Sequence, residues 1–159
     1  MVSSYLKHLL LIIFMCLVSS SKSGSIINTL PGFPGDLPFS LETGYVGVGK
    51  DNQVQLFYYF VESQRDALAD PLLLYLTGGP GTSGLYPLLY QIGPLSFNFE
   101  RSRRTNITLE LNPNSWNKAA NIIFLDAPAG VGFSYAKTWE ASRSGDSILA
   151  LHSYDFLKK

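Results

Sequence analysis

Two short apolar runs, each cut off by a loop of proline and glycine, constrain this chain more than any other feature. Leu72, Leu73, Leu74, Tyr75 and Leu76 lead without a polar interruption into Thr77-Gly78-Gly79-Pro80-Gly81. Asn121, Ile122, Ile123, Phe124, Leu125 and Asp126 lead in the same way into a loop holding Pro128, Gly130 and Gly132. A continuous apolar run of this length, bounded by Pro and Gly, reads as a strand covered on both faces. Sheets built from such strands have helices on either side and carry their chemistry on loops at the strand ends. The expected fold class is therefore α/β.

The flanking segments make the expected sheet a mixed one. Residues 44–48 and 54–61 read as strands, and Gly49-Lys50-Asp51-Asn52 is a turn between them, so an antiparallel hairpin precedes the buried strands. Residues 30–38 form an irregular lead-in, residues 64–70 a polar loop closed by Pro71, and residues 98–114 a polar, turn-rich stretch. A short helix is expected over residues 83–90. A closing helix, capped by Ser144 or Asp146, would put Ile148, Leu151, Tyr154 and Leu157 on one side.

Composition excludes several classes. Twelve basic and 12 acidic side chains cancel, so there is no positive field for nucleic acid. An apolar fraction of 46% with 13% aromatics excludes a disordered chain. Cys16 is the one cysteine, so neither an intrachain disulfide nor a cysteine metal site can form, and no metal or other cofactor is expected. The histidines are His8 and His152.

The N-terminus reads as an address. Lys7 precedes an apolar core over residues 9–18, and Ser19, Ser20 and Ser21 follow. That is the pattern of a cleaved secretory signal, and a core of about ten residues is too short for the ~20 of a membrane-spanning helix. Residues 1–23 are expected to be the signal and residues 24–159 the folded part, secreted or vacuolar. Cleavage removes Cys16 and His8. In that setting Asn106-Ile107-Thr108 is an N-glycosylation acceptor.

Three motifs bear on chemistry. Gly44 through Gly49-Lys50 nearly spells a phosphate-binding loop, but Asp51 stands where Ser or Thr is needed and a strand follows in place of a helix; a hairpin turn explains it. Gly132-Phe133-Ser134-Tyr135-Ala136 resembles a nucleophile elbow, with Asp146 and His152 following in hydrolase order. No strand runs straight into Ser134, however, and Asp146 and His152 lie on different faces of one helix. His152 is expected to be a surface or packing residue. Gly78-Gly79-Pro80-Gly81 offers backbone N–H groups with no side chains to shield them, directly after a buried strand. A tight strand-to-helix turn accounts for that pattern, and so does an oxyanion site.

The run from Leu72 to Gly81 resembles the signature around the oxyanion hole of serine carboxypeptidases. Asn112-Pro113-Asn114-Ser115-Trp116 and residues 121–135 are similar to that family's next blocks. Leu30-Pro31-Gly32-Phe33, residues 42–49 and residues 56–60 resemble its plant carboxypeptidase-like branch, some of whose members are acyltransferases acting on sugar esters. The resemblance implies the N-terminal part of an α/β-hydrolase fold with a mixed central sheet. It also implies acyl-enzyme chemistry at a peptide or ester carbonyl, with Gly79 giving one oxyanion N–H, Gly78 supporting it, and Thr77 in the substrate-binding position. Two departures stand out: Thr82 replaces the family's usual cysteine, and Thr77 replaces the asparagine with which peptidases bind a terminal carboxylate. Residues 127–132 are closer to the peptidase version, so the two subfamily signals conflict.

The family's catalytic serine lies in a Gly-Glu-Ser-Tyr-Ala-Gly elbow downstream of the helix that residues 146–159 resemble, and its aspartate and histidine lie further on. None of the triad is therefore expected within these residues, which would be inactive alone. A complete family member would take a peptide or acyl-ester substrate. The rival expectation is a non-catalytic, truncated secreted product, or an incomplete gene model.

Overall fold

The structure, a computed structural model, describes residues 24–79, 81–102 and 106–159. The expected secretory signal at residues 1–23 lies outside the described residues, as does Pro80 of the Gly-Gly-Pro-Gly loop.

The expected hairpin forms, its first strand starting at Leu41 rather than Gly44. Strand β2 (Leu41–Val48) pairs antiparallel with β3 (Val54–Val61), from Val48 opposite Val54 to Leu41 opposite Val61. The connection turns through Gly49 (φ 71°), Asp51 (φ 55°) and Asn52 (φ 53°). Gly, Asp and Asn are the residue types that reach this left-handed region most readily. Lys50 thus sits in a hairpin turn, and the phosphate-loop reading of residues 44–50 fails on geometry. A short strand, β1 (Gly24–Ile26), adds to the outer edge of β2.

The two apolar runs take central and lateral places. Strand β4 (Leu72–Tyr75) and strand β7 (Asn121–Leu125) pair in parallel, Leu72 beside Asn121 and Tyr75 beside Phe124. Strand β7 pairs antiparallel with β3 on its other side, giving the order β1-β2-β3-β7-β4 and the mixed sheet expected from sequence. Between β4 and β7 the chain makes helix α1 (Leu85–Tyr90) and a small hairpin of β5 (Leu95–Phe97) and β6 (Leu109–Leu111). Past β7, strand β8 (Tyr135–Ala136) pairs with the start of β3, and helix α2 (Asp146–Leu157) closes the order.

Core residues line both faces of the sheet. Tyr59, Val61, Ile122 and Phe124 pack with Leu88 of α1 and Leu95 of β5 on one face. Val54, Leu56 and Leu125 pack with Val48 and with Phe156 of α2 on the other. Strand β7 is the doubly covered strand its sequence suggests: Ile122 and Phe124 are fully buried and Leu125 nearly so.

Strand β4 is not. Leu72 and Leu73 are exposed, at 56% and 37%. The expectation of burial on both faces fails there because β4 ends the sheet among the described residues, with no strand beyond it. Helix α2 corrects a second expectation. Ile148, Leu151, Tyr154 and Leu157 all face outward, while Ser153 and Phe156 are buried.

Candidate active-site loops

Because β4 and β7 run in parallel, the loops that follow them leave the same end of the sheet. The loop after β4 contains Thr77, Gly78 and Gly79 and runs into α1. The loop after β7 starts at Asp126 and returns at Ser134.

In the first loop the backbone folds on its glycines. Gly79 has φ 79° and Gly81 φ 98°, and the Thr82 N–H donates to the Gly79 carbonyl at 3.1 Å, closing a tight turn. Both Gly78 and Gly79 are exposed. Their N–H groups donate to no acceptor among the described residues. Thr77 differs: its Oγ1 is buried, without a hydrogen-bond partner among the described residues.

Asp126 ties the two loops together. It is fully buried. Its Oδ1 accepts the Ser83 hydroxyl at 2.6 Å and the Gly84 N–H at 2.7 Å, and its Oδ2 accepts the Phe133 N–H at 2.9 Å. Ser83 in turn accepts the Leu85 N–H at 3.1 Å, at the entry to α1. A buried carboxylate is tolerable when several donors surround it. Two glycines make this approach possible. A Cβ on Gly132 would fall 2.0 Å from Asp126 Oδ2, and one on Gly84 would fall 3.0 Å from the Phe124 carbonyl carbon. The Tyr59 phenol is buried beside this group. Burial first, then the charge of Asp126, push its ionisation up, with contact to Ser83 acting weakly the other way.

Ser134 has a structural task. Its hydroxyl accepts the Phe57 N–H at 2.7 Å and donates to the Asp126 carbonyl at 2.5 Å. It bridges β3 at the point where that strand changes partner from β7 to β8. With both hydrogen-bonding functions spent and 4% exposure, it has no freedom to act as a nucleophile. His152 lies elsewhere, its ring against Gly49, where a Cβ would come within 2.9 Å of Nε2. Asp146 starts the helix that carries it. The elbow-like order of Ser134, Asp146 and His152 is coincidental, as its spacing suggests.

An aromatic wall rises beside the loops: Phe57 meets Tyr45, Tyr59 and Phe133 edge-on, at ring separations of 4.9, 5.0 and 5.2 Å. Asn106 is exposed. Among the described residues no cluster of His, Cys, Asp or Glu forms a metal site, and no helix is long and apolar enough to cross a membrane. Sequence reasoning singled out Gly78 and Gly79 but not Asp126. The available signal was a lone carboxylate ending an otherwise apolar strand, directly before a Pro/Gly loop.

Comparison with known proteins places these loops in context. The family model described as serine carboxypeptidase matches residues 31–159. Serine carboxypeptidase-like 1 of Arabidopsis thaliana is 47% identical over 160 residues, covering 99% of this chain and 36% of the relative. Serine carboxypeptidase-like 13 of the same plant is 48% identical over 154 residues, covering 97% and 36%. The chain thus spans about a third of the length of these relatives. In three dimensions it is similar to a prohormone-processing carboxypeptidase, Kex1(delta)p of Saccharomyces cerevisiae. The TM-score is 0.61 at 24% identity, over 76% of this chain and 27% of that one. That likeness is one of fold, the N-terminal part of an α/β-hydrolase with a mixed sheet.

Proposed function

Because the chain belongs to the serine carboxypeptidase family, we propose that it supplies the oxyanion loop of an enzyme that forms an acyl-enzyme on serine. In this reading a serine beyond these residues attacks a peptide or ester carbonyl. The carbonyl oxygen becomes an oxyanion, and the leaving group departs. Water then gives carboxypeptidase chemistry, and an alcohol gives acyl transfer. The Gly79 N–H stabilises the oxyanion, and Gly78 keeps the approach open. The observation that carries this is the state of Gly79: exposed, at φ 79°, its N–H unspent, at the carboxyl end of the parallel strand pair. Donors fixed in advance where charge will develop are what such a transition state needs.

Thr77 bears on which reaction follows. A peptidase must hold a free carboxylate, and Thr77 brings one hydroxyl, buried here, in place of two amide hydrogens. That favours acyl transfer over carboxypeptidase action. The peptidase-like loop over residues 127–132 pulls the other way, so substrate class is assigned only as peptide or acyl ester. The residues described contain no competent serine–histidine pair, so in this reading the 159 residues alone are catalytically silent. We further read residues 1–23 as a secretory signal and exposed Asn106 as its glycosylation site. Since Gly24 already pairs with Gly44, cleavage preserving β1 falls no later than Ser23.

The test is made on the longest product of the gene. Proline is a poor probe at Gly79, because its φ near −65° cannot match +79°. Glycolate at that position replaces N–H by an ester oxygen and leaves φ free. Turnover should fall by ~10²–10³ with substrate binding retained. Undiminished turnover would remove Gly79 from the oxyanion site.

A further inference from the structure

We propose that Asp126 is a positioning residue for this reaction: it fixes the oxyanion loop by holding Ser83 and Gly84 against the end of β7. The inference rests on the functional reading of Gly79 but adds a residue that this reading does not assign. Gly79 is exposed and touches little, since even an added Cβ there would meet only Thr82 Oγ1, at 3.4 Å. Its position is therefore set by its two ends. At one end is β4, the last strand of the sheet among the described residues. At the other end the chain is gripped at Ser83 and Gly84, and both grips close on Asp126 Oδ1.

The grip is specific to a carboxylate of this length. Three donors converge on Asp126, two on one oxygen and one on the other. In Asp126→Asn, one side of the group becomes an N–H donor facing either Phe133 N–H or the Ser83 and Gly84 pair. In Asp126→Glu, the longer chain has no room, because Gly132 and Gly84 already bring backbone to the limit of contact. Since Oδ2 holds Phe133, the same carboxylate also sets the spacing between the oxyanion loop and the aromatic wall. Asp126 itself touches no reacting atom.

Two readouts separate this role from general support of the core. The first is amide hydrogen exchange on the 159-residue chain. Asp126→Asn should speed exchange at Thr82, Gly84 and Phe133 by about ten-fold or more, with Ile122 to Phe124 unchanged. Uniform acceleration across β7, or no change at Thr82 and Gly84, would overturn the proposal. Ser83→Ala is the milder variant should the asparagine fail to fold; it should loosen Thr82 and Gly84 and leave Phe133 alone, and Ser83→Thr, which restores the hydroxyl, should reverse it. The second readout is kinetic, on the longest product. After titration of reactive serine, kcat per active site should drop about ten-fold or more with KM unchanged, since oxyanion stabilisation belongs to the transition state. A fall confined to the number of active sites, with kcat per site intact, would sink the idea. If the wild-type product acylates no serine at all, the functional reading fails, and exchange still decides whether Asp126 holds the loop.

Discussion

At Gly132 a methyl group has nowhere to go. The added carbon would lie 2.0 Å from the Asp126 carboxylate, at a φ of 53° that side chains rarely adopt. Gly130, at φ 89°, has open space around it. Gly130→Ala should therefore cost about 1 kcal/mol, the conformational term alone, and Gly132→Ala about 3 kcal/mol or more, because the carboxylate must also move. Denaturant midpoints of the two variants test the ordering, and equal losses would deny the clash. A second residue-scale test concerns acid. Asp70 accepts the Ser63 hydroxyl at 2.5 Å and Arg65 Nε at 3.0 Å, and hydrogen bonding to Arg65, then Ser63, holds its pKa at about 2, below the ordinary 3.8. A lowered carboxylate pKa contributes stability above the unfolded value and loses it as pH falls through the folded one. The loss should run from about pH 4 to about pH 2, and Asp70→Asn should flatten that limb when unfolding is followed against pH. Neither residue announces its role in the sequence. Glycine and aspartate in a loop are ordinary, and only the approach of another chain segment gives them work.

Helix α2 shows how far periodicity carries at the scale of one element. Its existence follows from the sequence, but its cap and its buried side do not: Gly145, not Ser144 or Asp146, stands at the N-cap, and no side chain caps it. Two apolar stripes compete: the one read from spacing is exposed, and the narrower one around Phe156 is buried. The sheet makes the choice, because the Tyr58 ring receives Phe156 edge-on at 5.9 Å and the bare Gly49 receives His152. Phe156→Ala should thus cost about 3 kcal/mol and expose the helix to proteolysis, whereas Leu151→Ser should change stability by less than about 0.5 kcal/mol. A thermal unfolding series checks both, and a larger loss at Leu151 would restore the stripe read from spacing. The strands were easier. Residues 54–61, 72–75 and 121–125 lie where runs of aromatic, β-branched and other apolar side chains put them. The β5–β6 hairpin is not visible in the sequence because its strands are three residues each, too short to show a period, and β6 lies inside the polar stretch of residues 98–114.

For the whole molecule, the family resemblance and the fold were legible because long motifs recur in order; what the described residues leave uncovered was not. Leu72, Leu73 and Leu76 stand exposed along or just past β4, and a groove of about 500 Å³ opens beside Leu72, between Phe60, Ile123 and Phe156. An apolar, unpaired edge recruits other strands. The 159-residue chain should associate as concentration rises, and Leu73→Lys should reduce that association in sedimentation velocity; a wild-type chain that stays monomeric would count against it. The parallel pairing of β4 with β7 also has a consequence in time. Strand β4 is made before α1, before the β5–β6 hairpin and before the strand it pairs with, and β3 can close on β2 through a turn of a few residues while β4 has no neighbour. Long-range parallel pairing comes late because the whole intervening loop must close first. Pulse-labelled exchange during refolding should therefore protect the β2–β3 amides ahead of those of β4. On the ribosome, the backbone of β4 must wait without a partner, its leucines adhesive beside it, until residues 121–125 have emerged and docked, so a chaperone has most to shield in the interval between those two events.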